Sequence, residues 1–246
     1  MASFKYYERD GRKYYRVTAI TGMLDKSNPF MGWAVNCMEK YALERIQKAH
    51  SLDVTSVSLI LAEAKRSYRK VKTEAAAIGT AVHEAVRVYL ATGEEPASPS
   101  AEVTAGFLAF LEWEAVHNVK AIATERTVYD AMWGVAGTMD MLAWVDGDLT
   151  VVDFKTSRAV YPEMRYQVAE YRAMVPFDED LVKATGGGKV VKSLILRLDK
   201  ESGMPQSHDI SDTYPTDLII FRKLAEAYAL INPITLTTRG GVRWKR

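Results

Sequence analysis

Cysteine is almost absent from this 246-residue chain, Cys37 standing alone. That excludes a disulfide within the chain and any four-cysteine metal site or iron-sulfur cluster. An excess of charge of one sign is missing too, since 32 basic and 31 acidic residues leave a formal +1. No global field draws the chain to a polyanion, so any site for nucleic acid has to be a local patch. No run of 18 apolar residues is present to cross a bilayer. The first residues form neither a signal-peptide core nor an amphipathic, arginine-rich presequence, and the expected setting is reducing and cytoplasmic. The Gly186-Gly-Gly188 run is not followed by the Lys-Ser/Thr of a phosphate cradle, so it reads as a turn. No internal repeat is visible.

What is present is ordinary globular material, 48% hydrophobic and 26% charged, enough for a real core in a domain of this length. The unusual part is residues 149–157, Leu-Thr-Val-Val-Asp-Phe-Lys-Thr-Ser. Val151, Val152 and Phe154 suit a half-buried strand, and side chains two apart on a strand share a face, so Asp153 and Lys155 point the same way. Residues 133–145 form a second strand-like run, and Asp146-Gly147 between them is a two-residue hairpin signal. That turn sets the register: Val145 opposite Asp148, Leu142 opposite Val151, Met141 opposite Val152, and Asp140 opposite Asp153. Cβ atoms in such a pair lie about 4.5–5.5 Å apart, and like charges there repel. A divalent cation would compensate the two carboxylates, and oxygen ligands suit Mg²⁺ or Mn²⁺. A three-residue loop would shift the pairing by one and spoil the opposition.

An Asp on one strand followed by Asp-x-Lys on the next resembles the catalytic core of the PD-(D/E)xK nuclease superfamily. The ordered set Gly79-Thr-Ala-Val-His83, Glu125, Gly137-Thr-Met-Asp140, Asp153-Phe-Lys155 and Gln167-x-x-x-Tyr171 resembles the RecB-like exonuclease branch. The resemblance implies an α/β fold, restriction-endonuclease-like, with a mixed central sheet flanked by helices and extra N-terminal helices alongside. It implies a single nuclease domain over residues 1–246, with a catalytic core at 73–175, a helical N-terminal part at 18–72 and a basic tail at 236–246. It further implies a divalent-metal-dependent deoxyribonuclease, an exonuclease rather than an endonuclease, phage or bacterial, acting on DNA ends in replication, recombination or repair. A replication or recombination protein would be its partner, with no membrane involved.

In the ligand set this resemblance carries over, His83, Asp140, Asp153 and the backbone carbonyl of Phe154 hold Mg²⁺ or Mn²⁺, and Asp140, Asp153 and Lys155 are catalytic. Lys155 orients or activates the attacking water and stabilises charge on the transition state. Gln167, Tyr171, Glu125 and Arg158 are candidates for contacting substrate. Where similar enzymes often place an acid four residues beyond the His, this chain has Arg87. Two other readings stand beside this one: a module on the same fold that holds DNA or a partner without cutting, and an unrelated α/β enzyme in which Asp153 and Lys155 belong to a structural ion-pair network.

Elsewhere, residues 4–7 and 13–17 flank Asp10-Gly11 as another hairpin. Helical periodicity covers residues 29–49, capped by Asn28, where Trp33 and Tyr41 either stack on bases or pack in the core. Residues 54–72 form a second helix ending in Lys65, Arg66, Arg69, Lys70 and Lys72 around Tyr68, either a phosphate track or a solvated face. A third helix begins at Thr73 as cap and ends at Gly93. Residues 101–116, 162–175 and 216–231 read as helices. Residues 119–128 read as an edge or near-edge strand holding Glu125, and 190–198 as a strand pairing near His208 and Ile210.

Overall fold

The computed structural model describes residues 6–24, 27–49, 52–95, 97 and 100–234. The chain begins with a short hairpin, β1 (Tyr6–Arg9) and β2 (Arg12–Arg16), followed by helices α1 (Val17–Thr21), α2 (Ser27–Lys48), α3 (Val54–Thr92) and α4 (Ala101–Val116). Three long strands come next, β3 (Val119–Asp130), β4 (Val135–Val145) and β5 (Asp148–Lys155). Helices α5 (Pro162–Met174) and α6 (Glu179–Ala184), strands β6 (Lys192–Leu198) and β7 (Pro205–Asp209), and helix α7 (Tyr214–Ile231) complete the order. The expected basic tail at 236–246 and Phe4 of the first hairpin lie outside the described residues, and Asn28 falls inside α2, one residue after its start at Ser27.

Two compact units make up the chain, residues 1–24 with 82–246, and residues 25–81. The larger unit is a mixed α/β structure whose seven-stranded sheet runs β1-β2-β4-β5-β6-β7, with β3 on β4. The β2/β4 and β5/β6 pairs are parallel and the rest antiparallel. The mixed central sheet flanked by helices is therefore present as expected. Turn chemistry accounts for both hairpins: Asp10 and Gly11 have φ of 53° and 70°, and Asp146 and Gly147 have 52° and 90°, the left-handed pair that a two-residue loop requires.

The central register holds as far as the turn controls it, with Val145 on Asp148, Leu142 on Val151 and Met141 on Val152. The next pairing, Asp140 on Asp153, is not made. β3 occupies one edge of β4 along its length, so β2 and β5 share the other edge. β2 takes Val135 and Ala136, and β5 takes residues from Met141 onward. Between them β4 and β5 fork. Asp140 uses the gap to accept the Phe154 N–H at 2.7 Å, while Asp153 lies in the parallel ladder against Ile195 of β6.

Alternation along β5 sorts its side chains. Leu149 and Val151 lie in the core with Val168 and Met174 of α5, Ile20 of α1 and Phe221 of α7. Phe154 points the other way and meets Phe110 of α4 edge-on, ring centroids 5.8 Å apart. Asp153 therefore sits on the α5 side and its neighbour on the α4 side. Each such fully buried apolar side chain contributes about 1.5–3 kcal/mol, and together they hold β5 between two helical layers.

The two helices expected at 54–72 and 73–91 are one continuous helix, α3. Thr73 does not cap. Its hydroxyl donates back to the Arg69 carbonyl at 2.9 Å, the bond a Thr makes inside a helix. Gly93, with φ of 73°, ends the helix as anticipated. The smaller unit consists of α2 and the first part of α3, in which Ala42 and Ala64 are buried. Tyr41 there donates its hydroxyl to Glu63 at 2.8 Å, so it serves the helix pair.

Candidate functional site

Three elements of the larger unit bring acids and a histidine together at the fork. Asp140 comes from β4, Glu125 from β3 and His83 from the later turns of α3. His83 Nδ1 is 3.4 Å from Asp140 Oδ1 and 3.9 Å from Glu125 Oε1. One ligand atom from each of the three lies within 4.8 Å of the others, an arrangement able to hold a metal ion. The Phe154 ring stands perpendicular to the imidazole, ring centroids 5.8 Å apart.

Glu125 reaches this cluster by an unusual backbone. Thr124 pairs with Met141 and Arg126 with Met139, which sets Glu125 across from Asp140. Its φ is 49°, in the left-handed region. For a residue with a Cβ that conformation costs roughly 1–2 kcal/mol, and such strain concentrates at functional sites. The sequence alone left Glu125 as a contact to substrate. Its carboxylate instead stands with His83 and Asp140, in a position that periodicity cannot reveal.

On β5, Asp153 and Lys155 share a face as expected, and the Lys155 ammonium meets Asp153 Oδ2 directly. The Asp153 side chain is 1% exposed and that of Lys155 18%. Gln167 Nε2 donates to Asp153 Oδ1 and to the Tyr171 hydroxyl, 3.2 Å in each case. Gln167 and Tyr171 thus share a face of α5, and in this structure they hold Asp153. Gly137 makes room for Tyr171: a Cβ there would stand 2.6 Å from Tyr171 Cε1. The glycine of the Gly-Thr-Met-Asp run is a steric necessity.

Arg158 is not part of the constellation. Its side chain is 83% exposed and lies 3.5 Å from Glu201. Arg87 binds Glu84, with Nε donating at 2.8 Å, and also feels Glu125. A glycine unnoticed in the sequence helps to place His83. A Cβ on Gly106 of α4 would come within 2.7 Å of Val82, so α4 and this end of α3 approach closely.

The field inside the cluster is strong. Burial pulls the His83 imidazolium down, but hydrogen bonds to Asp140 and Glu125 outweigh it and raise its pKa to about 10. Burial alone would raise Asp140; His83, Lys155 and the Phe154 N–H prevail and hold its carboxylate below the usual range. Burial and the charge of Asp140 push Asp153 up to about 6 against the pull of Lys155. Neighbouring carboxyls with unlike affinities for protons, a charged lysine and an imidazolium are thus gathered in one place.

No family model matches the chain, and no curated protein matches it. Among solved structures, the chain is similar to one described as the crystal structure of SSO0001, at 17% identity and a TM-score of 0.32, covering 82% of this chain and 88% of that one.

Proposed function

We propose that this protein is a divalent-metal-dependent deoxyribonuclease of the restriction-endonuclease-like, RecB-like kind, hydrolysing phosphodiester bonds from DNA ends. The observation that carries the reading is the convergence of His83, Glu125 and Asp140 beside an Asp153–Lys155 pair on the adjoining strand. The donors fit Mg²⁺ or Mn²⁺: two carboxylates and an imidazole within one coordination sphere, with one Asp140 oxygen fixed by the Phe154 N–H so that the other faces His83. When bound, such a cation supplies Lewis-acid stabilisation of charge on phosphate oxygens.

The protein's own groups supply the rest. Lys155 places a compact positive charge where a phosphate carries its developing negative charge. Asp153 holds that ammonium and is itself held by Gln167. Tyr171, packed on Gly137, keeps Gln167 in place.

End-labelled single- and double-stranded oligonucleotides incubated with Mg²⁺, with Mn²⁺ and with EDTA test the proposal. The expected result is metal-dependent shortening from an end that leaves 5′-phosphates. Intact DNA in both metals, with DNA still bound, would replace the proposal with a module that holds DNA without cutting it.

A further inference from the structure

The smaller unit, residues 25–81, holds a group of side chains that the hydrolytic site does not use. Phe30 and Trp33 on α2 and Tyr68 on α3 form a three-ring cluster: Phe30 is 5.7 Å from Trp33 and 5.6 Å from Tyr68, and Trp33 is 6.4 Å from Tyr68. The rings are not sealed in a core, since among the described residues of this unit only Ala42 and Ala64 are buried hydrophobics, and Phe30 is 38% exposed. Cations border the cluster. Lys72 Nζ lies 5.6 Å from the Phe30 ring centre and the Arg69 guanidinium 5.9 Å from that of Tyr68. Lys65, Tyr68, Arg69 and Lys72 fall on one face of α3 by their spacing, and residues 65–72 contain five basic residues and no acid. The nearest acids are engaged, Glu74 with Lys70 and Glu63 with Arg45 and Tyr41.

We infer that this face binds single-stranded DNA, bases stacking on the exposed ring surfaces while the phosphates run along Arg69, Lys72 and Lys65. The choice of DNA as ligand rests on the proposed nuclease function. Its physical basis is separate: flat π surfaces interleaved with cations match a strand whose bases are unpaired, because a duplex hides its base faces and offers only phosphates. The overall charge of +1 leaves this local stripe to supply the attraction.

The test is binding by the full chain in EDTA, where no cleavage occurs, read as fluorescence anisotropy of a labelled twenty-nucleotide oligothymidylate. Unlabelled duplex, oligouridylate and heparin serve as competitors. Trp33→Leu and Tyr68→Leu keep apolar volume but remove the stacking face, and each is expected to weaken binding about tenfold. The Arg69→Gln, Lys72→Gln double variant should flatten the log–log salt dependence by about 1.4, two phosphate contacts' worth for a single strand. Circular dichroism melts on each variant separate loss of binding from loss of the helix pair. Leucine variants that stay folded and bind like the parent overturn the inference. So does duplex or heparin competing as well as the single strand, and tighter binding of oligouridylate overturns the assignment to DNA. A strand bound through these residues but left uncut in Mg²⁺ and Mn²⁺ counts against the nuclease function alone. A strand cut by a protein whose leucine variants bind normally counts against this inference alone.

Discussion

Lys155 carries its charge into a buried position. Burial works against the ammonium, and the carboxylates of Asp153 and Asp140 more than reverse that and raise its pKa. If the charge serves phosphate hydrolysis, Lys155→Ala should lower single-turnover cleavage by about 10²-fold or more while metal affinity stays near that of the parent. Lys155→Arg should not restore activity, because a planar fork cannot replace a compact ammonium in a tight site. A purely structural pair predicts an active protein destabilised by about 3–5 kcal/mol, which thermal melting of the same preparation would reveal. His83 gives a second test at this scale. With a pKa of about 10 in the metal-free protein, its ring is charged at neutral pH, and a cation can use the nitrogen only after that proton leaves. Metal binding at pH 8 should therefore release about one proton, read by calorimetry in buffers of different ionisation enthalpy, and His83→Gln should abolish the release. The raised pKa also contributes stability that is complete below the unfolded value of 6.5 and is lost as pH rises through about 10. Metal-free melting temperatures should fall across that window in the parent and stay flatter in His83→Gln.

Helix α5 bears on the site through Tyr171 and Gln167, and next to Tyr171 it buries Glu170 completely. Burial first, then the charge of Asp130, raise this carboxyl to about 8, with Arg222 pulling the other way. A raised pKa means that the native state keeps a proton which the unfolded chain gives up above about 4.5. Stability should thus decline between about pH 4.5 and 8, by roughly 1.4 kcal/mol per pH unit at the steepest. Glu170→Gln should remove that decline, and urea melts at pH 5, 6.5 and 8 would measure it. Gly137→Ala tests the packing between α5 and β4. A methyl at 2.6 Å from the Tyr171 ring forces the ring aside, costing about 1–3 kcal/mol and loosening Gln167 from Asp153, so activity should fall along with stability. At this scale the sequence was readable where a local rule governs. The Asp146-Gly147 turn and the alternation of β5 yielded the register up to Met141/Val152. Reading failed where tertiary contacts decide. Thr73 has the chemistry of a cap yet lies inside a helix, and β4's change of partner, which parts Asp140 from Asp153, depends on β2 far away in the chain.

For the molecule as a whole, the expected fold class and the approach of His83 to Asp140 were legible through the ordered motifs and the family they resemble, while periodicity alone would have left His83 as one helical residue among others. The place of Glu125 was not legible, because a left-handed φ leaves no mark in composition. A metal that binds only the folded site stabilises by about 2.7 kcal/mol at a hundred times its Kd. For a protein of this size that raises Tm by about 5–10 °C. Mn²⁺ should produce such a shift, EDTA should reverse it, and Glu125→Gln should blunt it, which differential scanning fluorimetry would record. Surface turns are ordinarily the places where chains accept an extra residue without harm. The turn at Asp146-Gly147 is different in kind. Asp140 lies six residues before Asp146 and Asp153 six after Gly147, so the two strands act as the equal arms of a caliper, about 20 Å long at 3.4 Å per residue. His117 and the Asn118 N–H grip Asp146 at 2.6 and 2.8 Å and clamp the pivot. One residue inserted at that exposed tip would slide β5 against β4 and carry the Phe154 N–H away from the Asp140 carboxylate that accepts it, so this loop lacks the usual mutational freedom of its class.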